Sequence, residues 1–240
     1  MKLMFLGSGE AFDRIHSVSM LLNEKILLEC GPHTLRQLMK EGIDIRKIDL
    51  IFLSHLHADH SAGIPFLLLA SAEEGRSREL GIIGPGGTKD FVNRSLHMAY
   101  KKSLENLPFE VNVEEIENRN LSMEILGYRF HFGRTRHSVP CYSISIEKYK
   151  KKITYTGDGE PTKETFLIAK GSHILISEAY GEGFEMHSSP RKAAELAKAS
   201  GSKLLILVHI HRKCLFEEVE KAASIFSPIL LPREFETVMI

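Results

Sequence analysis

Tryptophan is absent from this 240-residue chain, and cysteine is nearly so, with Cys30, Cys141 and Cys214 alone. The cysteines are far apart, odd in number and never in C-x-x-C spacing, which excludes a disulfide framework and a cysteine-rich zinc finger. Such thiols fit a reducing compartment, so a cytoplasmic location is expected. Charge of either sign is not in excess, with 31 Lys plus Arg against 31 Asp plus Glu. A protein that lives on non-specific contacts to polyphosphate usually shows a basic surplus. No apolar run approaches the length of about 18 residues that spans a membrane, so no membrane partner is expected. The run 3–6 before Gly7 is too short for the apolar core of a secretory signal. Low-complexity stretches, long linkers and short repeats are also missing. With 43% hydrophobic residues, the chain can bury a full core without disulfides. One domain over residues 1–240 is expected.

Short apolar runs bounded by turn signals predict strands at 3–6, 18–22, 26–28, 50–53, 80–83, 122–132, 142–146, 153–156, 174–176 and 204–208. Several are apolar throughout, as expected of strands covered on both faces. Helical spacing is present at 34–40, 62–74, 88–103, 161–170, 189–200 and 215–225. Thr88 and Ser189 are expected caps, Pro161 a first-turn residue, and Gly201 a stop. Hairpin order early and strand–helix alternation later predict a mixed α/β (α+β) sheet system with helices outside.

Histidine is what the chain has in quantity, with twelve copies. The apolar run 50–53 feeds His55-Leu56-His57-Ala58-Asp59-His60. Residues two apart in extended chain point the same way, so His55 and His57 can converge on one cation. Asp59 and His60, where a helix begins, can face a second site. Three more strand ends carry ligand-type residues: His137, Asp158 and His209. Five histidines and two aspartates suit two divalent ions, since a catalytic zinc keeps three protein ligands and an open position. Imidazole and carboxylate without thiolate favour zinc, with manganese, iron and cobalt compatible.

HLHADH, with His137, Asp158 and His209 following in order, resembles the metallo-β-lactamase superfamily. The opening MKLMFLGSGEAF, the segment IDLIFLSHLHADHSAGIPFLL, and ILISEAYGEGFEMHSSPRKAAELAKASGSKLLILVHI look like its ribonuclease Z branch. The resemblance covers most of the chain. It implies a four-layer αββα sandwich. It assigns His55, His57 and His137 to one ion, Asp59, His60 and His209 to the other, and Asp158 as the bridge. It adds a pair beyond the ligands, Glu178 and His187, which help protonate the leaving oxygen. The activity implied is that of a binuclear hydrolase, a di-zinc phosphodiesterase or ribonuclease Z-like endoribonuclease using a metal-bridging hydroxide. Asp59 could take the nucleophile's proton. RNA-type phosphodiesters are the implied substrates, and homodimers are common among such proteins. The alternative on the same fold is a hydrolase of a lactone, ester or thioester.

Four departures bear on tRNA as a substrate. The long arm that grips tRNA is missing; only residues 147–152, with Lys148, Lys150, Lys151 and Lys152, join the strands flanking the arm position. An Asp-Cys-Gly-Glu-Gly pattern is replaced by Glu29-Cys30-Gly31-Pro32-His33. Gly159 follows Asp158 where a hydroxyl residue is common. Ile210-His211-Arg212-Lys213 replaces the usual Ser and Arg-Tyr spacing. Of the other histidines, His33 and His211 could line the pocket, whereas His16, His97, His131 and His173 are read as structural or exposed. Arg134 and Arg136 flank His137 and could meet a phosphate, an arginine fork being suited to that.

Overall fold

The computed structural model describes residues 1–116, 122–214 and 216–240. Leu215, the expected start of the last helix, lies outside the described residues. Strands β1 (Lys2–Gly7), β2 (Ser19–Leu22), β3 (Ile26–Leu28), β4 (Leu50–Phe52), β5 (Leu80–Pro85) and β6 (Val111–Ile116) form one sheet with β14 (Thr237–Met239), in the order β14-β1-β2-β3-β4-β5-β6. The second sheet contains β7 (Ser122–Ile125), β8 (Tyr128–Arg134), β9 (Tyr142–Lys148), β10 (Lys151–Tyr155), β11 (Ile174–Glu178), β12 (Leu204–Val208) and β13 (Ile229–Leu230), in the order β13-β12-β11-β10-β9-β8-β7.

Alternation along the strands explains why the sheets pack as they do. Leu50 and Phe52 face inward with Phe5, Met20, Phe130, Ile144, Tyr155 and Ile206, making the core between the sheets. Ile51 and Leu53 face outward onto Leu38 of α1 (Thr34–Lys40), Leu67 and Leu68 of α3 (Ile64–Glu73), and Val92 and Leu96 of α4 (Thr88–Tyr100). On the other side Leu175, Leu205 and Leu207 meet Ala169 of α5 (Lys163–Ala169), Ala193, Ala194 and Ala197 of α6 (Pro190–Ser200), and Ala222 of α7 (Phe216–Ile225). The layers are helix, sheet, sheet, helix. This is the αββα sandwich of the metallo-β-lactamase fold. No helix among the described residues is long and apolar enough to cross a membrane.

Several local expectations are corrected. The run 122–132 is two strands, because Leu126 and Gly127, both at positive φ, turn the chain back between β7 and β8. The expected helix 62–74 is preceded by a separate single turn, α2 (Ala58–Ser61), which holds Asp59 and His60. Thr88 is the first helical residue, with its hydroxyl donating to Pro85 O, and Gly87 is the cap. Helix α4 ends at Tyr100, not 103. Pro161 stands outside α5, which is capped by the Thr162 side chain. Hairpins occur in the middle of the chain, at β7–β10, as well as at its start, and parallel strands follow each. Helix α6 is as expected, capped by Ser189 and closed by Gly201 in the left-handed region.

Candidate metal centre and active site

The chain leaves β4, β10, β11 and β12 at one end of the sandwich, and the polar residues of interest follow there. Parallel pairing of β10, β11 and β12 brings Tyr155 beside Ile176 and Glu178 beside Val208. Asp158, Glu178 and His209 are therefore delivered to one rim. From the first sheet, β4 delivers His55 and His57, and the turn α2 delivers Asp59 and His60.

Two groups of side chains form. His57 Nδ1 lies 3.0 Å from His55 Nε2 and 3.3 Å from His137 Nε2. In the second group, Asp59 Oδ2 lies 3.3 Å from His60 Nε2 and 3.2 Å from His209 Nε2. Asp158 Oδ2 is shared, at 3.5 Å from His60 Nε2, 3.4 Å from His209 Nε2 and 3.8 Å from His55 Nε2. A tetrahedral ion with bonds of about 2.0–2.1 Å holds its ligand atoms about 3.3–3.4 Å apart. Both groups have that spacing. Two of the buried atoms, His60 Nε2 and Asp158 Oδ1, have no hydrogen-bond partner. Buried polar atoms are rarely left so, and a cation satisfies Nε2 and a carboxylate together. The donor set thus fits divalent metal, as the fold implies.

Electrostatics agree. Burial holds His55 well below the ordinary imidazole value, and burial followed by the charge of His137 lowers His57. Both are ready as neutral donors. His60 and His209 go the other way. Burial opposes protonation, but Asp158 and Glu29 outweigh it at His60, and Asp158, Asp59 and Glu178 push His209 up to about 10. Asp158 stays well below the usual carboxylate range, since the charges of His209 and His60 overcome its burial. The carboxylates thus demand positive charge at the two buried histidines, a demand that a cation between them also meets.

Other groups aim these side chains, as ligand histidines generally require. His55 Nδ1 is 2.9 Å from Ser54 Oγ. His137 Nδ1 donates to Met186 O at 3.0 Å. His60 Nδ1 lies 3.5 Å from Glu29 Oε1, and both Glu29 oxygens take the N–H of Ser54. Glu29, at 0% exposure, is thus part of the centre. The sequence marked it only as a departure, although an acid ending the apolar run of β3 was a usable signal. Gly31 and Gly63 let this segment meet the metal-site turn: a Cβ on Gly31 would sit 2.1 Å from Asp59 O.

Glu178 is fully buried, and both its oxygens are engaged. Oε2 accepts the N–H of Gly159 at 2.6 Å and of Ser188 at 2.8 Å. Oε1 lies 2.5 Å from His187 Nδ1 and 3.4 Å from His209 Nδ1. The His187 ring stacks on Tyr180, with centroids 4.2 Å apart and planes at 20°. Tyr180 was not singled out from sequence, where a lone tyrosine two residues past Glu178 carries no pattern. Burial works against the His187 imidazolium, but the hydrogen bond and charge of Glu178 outweigh it and raise its pKa. Gly159 has φ +98°, and a Cβ there would meet Arg136 O at 2.6 Å. A hydroxyl residue does not fit, and glycine leaves the N–H aimed at Glu178.

A family model described as anti-Pycsar protein Apyc1 matches residues 1–222. The chain belongs to this family. Among curated relatives, ribonuclease Z of Pediococcus pentosaceus is 28% identical over 309 aligned positions, covering 100% of this chain and 99% of that one. Since this chain has 240 residues, at least 69 of those positions have no counterpart in it. The human short-form tRNase Z structure superposes with a TM-score of 0.82 at 24% identity, covering 100% of this chain and 99% of that one. The metallo-β-lactamase-fold protein YhfI of Bacillus subtilis gives 0.83 at 21% identity, with 99% of each covered. The Apyc1-family chain sits in the ribonuclease Z-like branch of the superfamily.

Not every flagged residue reaches this rim. Lys148 and Lys151 pair at the far end of the β9–β10 hairpin. Seven residues separate Lys151 from Asp158, about 20 Å at strand rise. Lys148 Nζ rests over the Tyr128 ring, and Lys152 pairs with Glu147. Arg136 is held by Glu160 at 2.9 Å. His33 packs edge-on against His16, which is bonded to Glu234 at 2.6 Å. His211 is buried against Tyr180 and Phe184.

Proposed function

We propose that this chain hydrolyses phosphodiesters at a two-metal centre, with RNA-type and smaller nucleotide diesters as the substrate class. The observation that carries the reading is the single carboxylate oxygen, Asp158 Oδ2, within reach of both ligand groups. His55, His57 and His137 would hold one ion, and Asp59, His60 and His209 the other, with Asp158 reaching both. When bound, such a pair supplies an activated water and positive charge that offsets the phosphoryl oxygens. Zinc suits the imidazole and carboxylate set. Cys141 stays outside it, its buried thiol pushed up to about 12 and donating to Asp158 O.

The remaining steps belong to the chain's own groups. Asp59, at the rim and partly open, is placed to accept the proton of the attacking water. His187 keeps Nδ1–H on Glu178 Oε1, which leaves Nε2 to carry a proton to the departing oxygen. Tyr180 fixes the plane of that ring. A proton donor of raised pKa suits the basic alkoxide that leaves an unactivated phosphodiester, and is not needed for the thiolate that leaves a thioester. Cytoplasmic residence and a homodimeric state go with this reading, and light scattering tests the second. The functional test is a panel of chromogenic phosphodiesters, esters, a lactone and a thioester with the zinc-loaded protein. Phosphodiester hydrolysis that disappears on chelation and returns with zinc is expected. Hydrolysis of the carboxylic esters alone refutes the reading.

A further inference from the structure

Glu10 lies in the loop 8–17 and takes no part in the chemistry above. It is 1% exposed. Burying a carboxylate is costly unless it is paired and hydrogen-bonded. Its oxygens meet surface groups instead of core ones. Oε2 accepts the N–H of Phe12 at 2.9 Å, and Oε1 accepts Arg212 Nη1 at 2.5 Å. The Phe12 ring is 76% exposed, with the Arg212 guanidinium 5.6 Å from its centroid. A buried acid thus holds an aromatic ring and a cation together at the surface.

Phe12 and Arg212 line a cavity of about 580 Å³, together with Arg14, His211 and Lys213. The cavity adjoins the metal rim. Ile210 bridges to Gly9, and the N–H of His209 donates to Ser8 O. The N–H of His211 donates to Tyr180 O, and its ring lies 4.8 Å from the Tyr180 ring that stacks on His187. A continuous row of rings leads from the proton donor to the cavity. With Arg212 and Glu10 paired to each other, Arg14 and Lys213 face one further acid, Asp13, which leaves the rim net cationic.

We propose that this cavity is a nucleoside subsite, in which the base carried by one ester oxygen of the substrate stacks on Phe12 with Arg212 behind it. The proposal rests on the phosphodiesterase reading of the adjoining centre. Aromatic stacking suits any base, since every base has a π-face. The cationic rim suits an anionic nucleotide.

Two measurements on the zinc-loaded protein test it. One is kcat/KM for adenosine 5′-(p-nitrophenyl phosphate) against methyl p-nitrophenyl phosphate, which share a leaving group and differ in the base. The other is the Kd of adenosine 5′-monophosphate against methyl phosphate by calorimetry. Phe12→Ala is expected to lower both preferences about tenfold, within the range for loss of one base–aromatic stack. Phe12→Tyr should restore most of each. Phe12 is largely exposed, so the variants will fold. Hydrolysis of both esters with preferences that move less than twofold in Phe12→Ala overturns the subsite and leaves the phosphodiesterase reading intact. Wild-type protein that binds the nucleotide no tighter than methyl phosphate also overturns it. Nucleotide preference that depends on Phe12, without turnover of either ester, supports the subsite and refutes the phosphodiesterase reading.

Discussion

Glu178→Gln is a change of one atom with two consequences. The carboxylate accepts from Gly159 N–H and Ser188 N–H on one oxygen and faces His187 and His209 with the other. Glutamine has one acceptor end. Placed on the backbone side, its oxygen keeps the two N–H groups, but its amide then meets the Nδ1–H of His187 donor to donor. Turned round, it leaves two buried N–H groups unpaired. Hydrogen bonds to a charged group contribute about 1.5–3 kcal/mol each. The variant should lose about 2–5 kcal/mol, a large share of the roughly 5–15 kcal/mol typical of a folded domain. The second consequence is on proton transfer. Glu178 is what raises the His187 pKa against burial. Without the charge, burial acts alone and the pKa falls. An acid works while protonated, so the rate on poor leaving groups should decline with rising pH from a lower pH than in the wild type. The sign for stability follows as well. A histidine raised by folding stabilises fully below its unfolded value of about 6.5 and loses that contribution as pH rises through the folded value. Denaturant melts from pH 5 to 9 and pH–rate profiles with an unactivated diester measure both effects. A variant with wild-type stability and an unmoved alkaline limb would refute the role of Glu178.

Asp158→Ala or His55→Ala should remove at least one divalent ion by elemental analysis and nearly all activity, and metal uptake by the wild type should weaken at low pH because histidine ligands must be deprotonated; wild-type protein without metal after refolding in zinc would defeat the centre. His187→Ala should keep its metal and lose about 10²–10⁴-fold in rate on poor leaving groups, with much less loss on p-nitrophenyl esters; equal losses would mean a structural role. Precursor tRNA should be a weak substrate next to a short single-stranded diester, because remote contacts orient large substrates and the long arm is absent from this chain. A strong preference for tRNA in kcat/KM at moderate salt would contradict this. The lysine hairpin would be a poor explanation for such a result, since it lies at the opposite end of the sheet from Asp158.

The centre was legible in sequence where it was local or marked by a strand end. His55 to His60 are contiguous, and His137, Asp158 and His209 each follow an apolar run. Supporting residues were not legible, because their roles come from contacts across the fold. Glu29 meets His60 only because the glycines at 31 and 63 let two loops touch. Among elements, β4 and β12 showed as unbroken apolar runs because both faces are covered. The edge strand β6 was missed, since Asn112, Glu114 and Glu115 dilute its pattern and the first two of them are exposed. The β7–β8 turn was hidden by Leu126, an apolar residue doing what glycine usually does.

The order in which the centre can be assembled follows from where its members sit along the chain. Four ligand-type groups lie within six residues, from His55 to His60, and the others wait for residues 137, 158 and 209. Contacts this distant in sequence form late, after the chain has met their loop-closure cost. Both sheets must close before Asp158 Oδ2 can stand between the two groups. The apolar layer beneath, from Phe5 to Ile206, contains none of these residues. Folding of the sandwich can therefore precede metal, and the ion acts as a ligand of the finished fold, stabilising it by mass action. Zinc titrations followed by thermal melts should thus show a midpoint that climbs with free zinc from a folded, metal-free starting point.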